Sequence, residues 1–189
     1  MSVNKYNVNL DSQINTYVYL YNAADWALDQ AKATEEGRIY NCMSANVMLA
    51  FCVEAYLNHV CEKLLPFWDE EMKKDLRTEN KLRIVASYLK IALDYSRRPY
   101  QSLKDIWKFR NLVVHAKTEK IREKKIQTKR KHSFPQTTKP WWERQCNLRV
   151  TEKWLKDTES IITNLHKAQG NDINPFLIIS QSSYSAHPR

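Results

Sequence analysis

The sequence predicts an all-α protein: a single domain over residues 1–189, with a bundle of about five to six helices over about residues 11–168. Apolar residues recur at three- and four-residue spacing over long segments, which is typical of amphipathic helices. Only two glycines occur, Gly37 and Gly170, and each follows such a segment, where a left-handed residue commonly ends a helix. With 43% apolar residues, a chain of 189 residues can bury one sizeable core.

The first two helices show the strongest periodicity. The first is predicted from about residue 11 to residue 33, with Asp11 or Ser12 as its N-cap. The second is predicted from about residue 39 to residue 65. Because residues 47–60 are apolar nearly all round, we expect this helix to lie at the centre of the bundle.

The remaining segments are shorter. Further helices are predicted at about residues 67–76, 79–93, 100–115 and 151–168. Prolines and polar residues between the last two predict a long basic loop over about residues 118–146. The C-terminal tail, residues 171–189, is expected to have a loose end.

Positive charge is concentrated in the predicted loop. Residues 117–132 hold eight Lys or Arg against two Glu, a net +6 out of +9 for the whole chain. Such a block suits a polyanion, with nucleic acid first and an acidic protein surface second. A solvated charge run without a partner is the alternative, and the sequence leaves both open.

Several classes of protein are disfavoured. No apolar run approaches the roughly 20 residues of a membrane span, and the N-terminal segment lacks the features of a secretory signal, so we expect a cytoplasmic protein. The four cysteines and five histidines are scattered, which predicts neither disulfides nor a metal site. Two glycines cannot form a phosphate-binding loop, and no cofactor is expected.

One segment combines side chains suited to phosphate chemistry. Arg110 interrupts the apolar face of its predicted helix, and Asn111 and His115 share a face with Lys104 and Lys108. Arginine matches phosphate oxygens with a planar fork, and histidine exchanges a proton near neutral pH. RNA supplies its own nucleophile in the 2′-hydroxyl, so these groups suffice for cleavage of its backbone.

The motif resembles that of the HEPN superfamily, helical-bundle proteins of which many are ribonucleases. Their motif is an Arg, a polar residue and a His after four to six intervening positions, here Arg110, Asn111 and His115. The resemblance extends to the preceding helix with its Glu54 and Asn58 and to the order of helices. It does not extend to the basic loop or the tail.

The resemblance implies a homodimer in which two motif helices form one composite site without metal. His115 is then the general acid or base, Arg110 stabilises the transition state, and Asn111 orients the substrate. A toxin subgroup carries a tyrosine two residues after the histidine, the target of a modifying partner. Lys117 stands there in this chain, so we do not predict that regulation, although another regulatory protein partner is compatible with the motif.

We therefore interpret the chain as an endoribonuclease, acting as a toxin or defence effector, with RNA as its partner. The candidate RNA-binding residues are Lys104, Lys108, Lys117, Lys124, Lys125, Lys129, Arg130 and Lys131. Glu54 and Asn58 are candidates to support the motif, or else form an ordinary buried polar contact. Trp141 and Trp142 either stack on RNA bases or anchor the loop to the bundle.

Two alternatives of a different class stay open. The first is a non-catalytic HEPN-like module that uses the same helix for dimerisation or for binding a partner. The second is a basic nucleic-acid-binding protein without catalysis, whose activity lies in residues 117–132 and whose affinity falls steeply with salt.

Overall fold

The computed structural model describes residues 6–116, 118–122 and 138–188. These residues form a mainly α-helical fold with one small antiparallel sheet, which confirms the predicted helical class in its broad outline. The elements along the chain are β1 (Tyr6–Ile14), α1 (Thr16–Ala33), α2 (Arg38–Leu64), α3 (Glu70–Asp75), α4 (Thr78–Tyr88), α5 (Tyr100–Val114), α6 (Trp141–Gln145), α7 (Leu148–Ala168), a 3-10 helix (Pro175–Leu177) and β2 (Ser180–Pro188).

The long helix α2 lies at the centre of the bundle, as predicted from its apolar residues on nearly all sides. It packs against α1, α4, α5 and α7. Leu49, Val53, Tyr56 and Leu57 are fully buried along its length and join a single cluster of buried side chains that reaches all four neighbours. Burial of this surface on several sides is the main source of the bundle's stability.

The N-terminal prediction is wrong in one respect: residues 11–14 are not helical, and α1 begins at Thr16. Residues 6–14 form β1, which pairs with β2 so that Leu10 lies opposite Tyr184. The mainly α-helical fold thus includes one small sheet that was not predicted, and residues 180–188 of the C-terminal tail form a strand rather than a loose end. The alternation of apolar and polar residues in β1 suits a strand, but its partner lies at the other end of the chain.

Further differences from the predictions concern α4, α6 and α7. Helix α4 ends at Tyr88 instead of residue 93, because Lys90 takes up a left-handed φ of 57° that interrupts the helix. Helix α6 occupies part of the predicted loop, which raises the number of α-helices described to seven. Helix α7 begins three residues early because the Asn147 side chain caps it, accepting a hydrogen bond from the Val150 N–H at 3.1 Å.

The two glycines serve different helix ends. Gly170 has φ 81° and follows α7, as expected for a C-terminal glycine. Gly37 has φ 70° but immediately precedes α2, since α1 has already ended at Ala33. Gly37 is left-handed as predicted, but it does not cap the first helix, whose C-cap is Thr34.

All four cysteines are buried and free, in agreement with the prediction that none forms a disulfide. Burial raises the pKa of the Cys61 thiol to about 11 and that of Cys146 to about 12. These thiols are therefore protonated near neutral pH and serve as small packing residues.

No helix in the described part of the chain has both the length and the apolar character needed to cross a membrane.

An ion pair between Arg98 and the buried carboxylate of Asp157 attaches the start of α5 to α7. Asp157 on α7 is nearly fully buried, and its carboxylate accepts hydrogen bonds from Ser102 Oγ and from Nη2 of Arg98 at 2.7 Å. Charge-assisted bonds of this kind are stronger than neutral ones, so they hold α5 in a defined position. The orientation of α5 matters because this helix carries the predicted motif.

Candidate functional site

The predicted motif residues line one cleft on the surface of the bundle. The cleft has a volume of about 590 Å³. Its walls are α2, the C-terminal half of α5 and the connection from α3 to α4. We call it the motif cleft; its lining includes Glu54, residues 74–79, Arg110, Asn111 and His115.

Arg110 lies partly buried at the wall between α5 and α2. Its Nη1 donates to Asn111 Oδ1 at 3.0 Å, and its Nη2 donates to Glu54 Oε2 at 3.4 Å. The guanidinium carbon also lies 5.7 Å from the centre of the Phe51 ring, a cation–π distance. These contacts explain how a charged side chain fits on the apolar face of a helix, because its charge is paired with Glu54 and lies at a cation–π distance from Phe51.

His115 and Asn111 are exposed at the C-terminal end of α5. His115 is the C-cap residue, and its backbone N–H donates to the Asn111 carbonyl at 3.3 Å. On a regular helix, positions 110 and 115 are about 140° apart. Both residues nevertheless line the same cleft, because His115 is the C-cap and no longer follows the regular helix.

The two predicted supporting residues on α2 behave differently. Glu54 lines the motif cleft and contacts Arg110. Asn58 lies one turn further and lines a separate cleft of about 520 Å³. Its Oδ1 accepts a hydrogen bond from Lys81 Nζ at 2.8 Å, so the structure brings Glu54 but not Asn58 to the motif.

Lys81 is the hydrogen-bond partner of Asn58. It is fully buried, and its ammonium also donates to the Lys73 carbonyl at 2.7 Å. Burial lowers the pKa of Lys81, while the nearby carboxylate of Glu54 acts in the opposite direction. The ammonium thus ties α2 and α4 to the end of α3, which forms one wall of the motif cleft.

The connection from α3 to α4 contributes residues that the sequence analysis did not select. Lys74 and Arg77 both line the motif cleft and add two cations beside Arg110 and His115. Asp75 and Glu79 line it too, and Glu79 is paired with Arg83 at 2.6 Å. No local pattern marks these positions, since they reach the motif only through the packing of α3 and α4 on α2.

Lys104 and Lys108 are exposed on α5 but lie outside the motif cleft. Lys104 Nζ is 5.0 Å from the centre of the Tyr95 ring, and Lys108 Nζ is 4.3 Å from that of Trp141. Trp141 and Trp142 are half-buried and pack against the core at α6. This packing agrees with the alternative in which the two tryptophans anchor the loop to the bundle. It does not test whether they stack on RNA bases.

The remaining candidate RNA-binding residues lie outside the part of the chain that the structure describes. They are Lys117, Lys124, Lys125, Lys129, Arg130 and Lys131. Within the described ranges, no group of three or more His, Cys, Asp or Glu side chains is placed to hold a metal ion.

Comparison with protein-family models, with curated protein sequences and with solved structures finds no significant match to this chain.

Proposed function

We propose that the chain is a metal-independent endoribonuclease of the HEPN type, with Arg110 and His115 as its reactive centre. The observation that supports it best is that Arg110, Asn111 and His115 line one cleft together. A guanidinium, an amide and an imidazole at one surface provide a phosphate ligand, a hydrogen-bonding group and a proton carrier.

The reaction that fits these groups is attack by the ribose 2′-oxygen on the adjacent phosphorus. A new bond joins the 2′-oxygen to phosphorus, and the bond from phosphorus to the 5′-oxygen breaks. The products are a 2′,3′-cyclic phosphate and a 5′-hydroxyl. Arg110 binds the non-bridging oxygens, where negative charge builds up, and Asn111 orients the phosphate.

Two proton transfers accompany the reaction, and they explain the proposed homodimer. One His115 imidazole accepts the proton of the 2′-hydroxyl, while an imidazolium donates a proton to the departing 5′-oxygen. Among the described residues, the motif cleft of one chain has a single histidine. Two motif clefts that meet in a dimer supply both histidines, and His115 is exposed as such a contact requires.

A second candidate function is favoured by the bond between Arg110 and Glu54. An arginine already paired with a carboxylate at 3.4 Å also suits a non-catalytic module, in which the pair only joins α5 to α2. In that case His115 has no role in chemistry.

Cleavage of a mixed single-stranded RNA in EDTA distinguishes the two functions. We expect the wild type to cleave, with 2′,3′-cyclic phosphate ends, and His115→Ala and Arg110→Ala to lose at least about a hundredfold in rate. Arg97→Ala is the matched control, since Arg97 is an exposed arginine paired with Asp94 outside the motif cleft. Equal cleavage by all four proteins would indicate a contaminant, and no cleavage by any of them would favour the non-catalytic module.

The cellular role that we propose is a toxin or defence effector acting on RNA in the cytoplasm. Expression of the wild type should then arrest growth, whereas His115→Ala expressed to the same level should not. Growth curves of the two strains measure this directly, and equal growth at equal expression contradicts the toxin role.

A further inference from the structure

A second cleft lies beside α2, between the start of α1 and helix α3. It has a volume of about 520 Å³, and among the described residues it shares no lining residue with the motif cleft. We call it the Asn58 cleft; its lining includes residues 13–17, Asn58, His59, Lys63 and Lys73. These residues take no part in the proposed ribonuclease chemistry, so a role for this cleft is a separate question.

The amide of Asn58 is held in one orientation by a buried cation. Lys81 is 1% exposed, and its Nζ donates to Asn58 Oδ1 at 2.8 Å and to the carbonyl of Lys73 at 2.7 Å. An ammonium can only donate, so the amide oxygen must point to Lys81 and the NH₂ group away from it. Within the described part of the chain this NH₂ group has no hydrogen-bond partner, although Asn58 lines the cleft. It is therefore an oriented donor that lacks an acceptor.

Positive charge surrounds this donor. Lys63 and Lys73 line the cleft, and the ammonium of Lys81 is bonded to two of the lining residues from behind. Lys73 is paired with Glu70 at 3.2 Å, but the two side chains are 38% and 75% exposed, and surface pairs of this kind are weak enough to be exchanged for a ligand. Among the lining residues, Glu62 is the only carboxylate, and it is exposed. The cleft therefore favours an anion.

His59 is another lining residue whose ring nitrogens have no hydrogen-bond partner in the described ranges. Its ring lies 5.4 Å from that of Tyr17, measured between centres. Burial, together with Lys63 on the same helix and His166 on α7, lowers the pKa of His59 to about 4, so the imidazole is neutral near pH 7. A bound anion favours the charged form and raises this pKa. The titration of His59 thus reports whether the cleft is occupied.

The first turn of α1 adds backbone donors to the same cleft. Asn15 is the N-cap residue, but its side chain does not cap the helix and donates instead to the Ile178 carbonyl at 2.8 Å. Thr16 and Tyr17 line the cleft, and their N–H groups make no hydrogen bond to any described residue. Free N–H groups at the start of a helix carry partial positive charge, which adds to that of the lysines.

We propose that the Asn58 cleft binds a phosphate group, present either as the free ion or as part of a nucleotide. A phosphate monoester carries a charge of about −1.5 to −2 at neutral pH and has three strong acceptor oxygens. The amide, the two lysines and the backbone N–H groups provide several donors for these oxygens, more than a carboxylate with two oxygens and a single charge can use. The proposal involves no residue of the motif cleft, and so it does not rest on the ribonuclease function.

NMR of the full chain tests the proposal through the imidazole signals of His59, which are assigned by their loss in His59→Gln. Sodium phosphate at pH 7 should shift these signals with a dissociation constant of about 1 mM. It should also raise the pKa of His59 from about 4, whereas sodium chloride at equal ionic strength should have neither effect. The absence of a saturable shift up to about 20 mM phosphate overturns the proposal.

A pair of surface variants shows whether the cleft is the binding site. Lys63→Gln with Lys73→Gln removes two cations from the cleft and should weaken phosphate binding at least about tenfold. Lys153→Gln with Lys156→Gln is the matched control, because it removes the same charge from α7 outside the cleft. Equal weakening by the two pairs would be an effect of net charge alone and overturns the proposal. Circular dichroism of each variant checks that the helices are intact.

Inorganic phosphate, AMP and adenosine distinguish the two sources of the phosphate group. Tighter binding of AMP than of inorganic phosphate identifies a nucleotide as the ligand, whereas equal or tighter binding of inorganic phosphate identifies the free ion. Adenosine has no phosphate and should leave the His59 signals unchanged. If adenosine binds as tightly as AMP, the cleft does not recognise phosphate and the proposal is wrong.

Discussion

The side chains of Arg110 and Glu54 join α5 to α2 through one hydrogen bond of 3.4 Å at the wall of the motif cleft. Each side chain is about 30% exposed, with values of 29% and 31%, so the pair is neither deeply buried nor freely solvated. A pair of this length and exposure adds at most about 1 kcal/mol to stability. Arg110 also lines the cleft, and its bonds to Glu54 and Asn111 within the described part of the chain use two of its five N–H groups.

From this geometry, Glu54→Gln should reduce RNA cleavage by about tenfold to a hundredfold, because a misplaced guanidinium stabilises the transition state less well. The unfolding midpoint should change little, since the ion pair is weak. Single-turnover cleavage rates and a thermal melt measure the two effects. Glu62→Gln is the control on the same helix, and equal rates for the two variants would remove Glu54 from any positioning role.

Lys74 and Arg77 should bind the RNA backbone, because both line the motif cleft. Replacement of both by Ala should weaken binding of a short single-stranded RNA and reduce the slope of log affinity against log salt by about 1.4, or about 0.7 for each phosphate contact. Fluorescence anisotropy at several salt concentrations measures this slope. Lys153→Ala with Lys156→Ala removes the same charge from α7, and an equal change there would indicate only a general effect of net charge.

Ser102→Ala should destabilise the fold by about 2 kcal/mol, because it removes a hydrogen bond to the buried carboxylate of Asp157. The matched control is Ser160→Ala, since Ser160 is exposed on α7 and its hydroxyl donates to the carbonyl of Lys156 in the same helix. Urea unfolding gives both free energies. A difference of less than about 0.5 kcal/mol between the variants would mean that the bond to Asp157 adds little.

Stability should fall as the pH is lowered from about 6.5 to 4, in part because of His59. Burial, helped by Lys63 and His166, lowers the pKa of His59 to about 4. Between the ordinary pKa and this value the unfolded chain binds a proton at His59 that the folded chain does not bind, so acid favours unfolding. The effect is at most about 3 kcal/mol.

His59→Gln removes this titration and should flatten the pH dependence of the unfolding free energy. Urea unfolding at pH 7 and at pH 5 measures the slope in both proteins. The pKa of His166 is also lowered by burial, so some pH dependence should persist in the variant. Parallel curves for the wild type and the variant would show that protonation of His59 is not linked to unfolding.

The helices and the motif could be predicted because their signals are local. Apolar residues at three- and four-residue spacing indicate α1, α2, α5 and α7, and the periodicity of α2 also indicates its central place. Arg110, Asn111 and His115 lie within one stretch of six residues at the end of a single helix. Their presence in one cleft needed little tertiary information.

Contacts between distant segments could not be predicted in this way. Glu54 and Asn58 are one turn apart and look alike in the sequence, yet Glu54 contacts Arg110 whereas Asn58 contacts Lys81. The difference depends on where α4 and α5 cross α2, which no local pattern reveals. Lys74 and Arg77 were missed for the same reason.

The helical class, the central helix and the chemical content of the motif follow from the amino-acid sequence alone, since each depends on residues close together in the chain. The side chains that surround the motif and the pairing of β1 with β2 depend on the packing of distant segments. A strand gains its hydrogen bonds from another segment, and the partner of β1 is β2 near the other end of the chain. Helices are stabilised by hydrogen bonds within one segment, whereas clefts and sheets require several segments to meet.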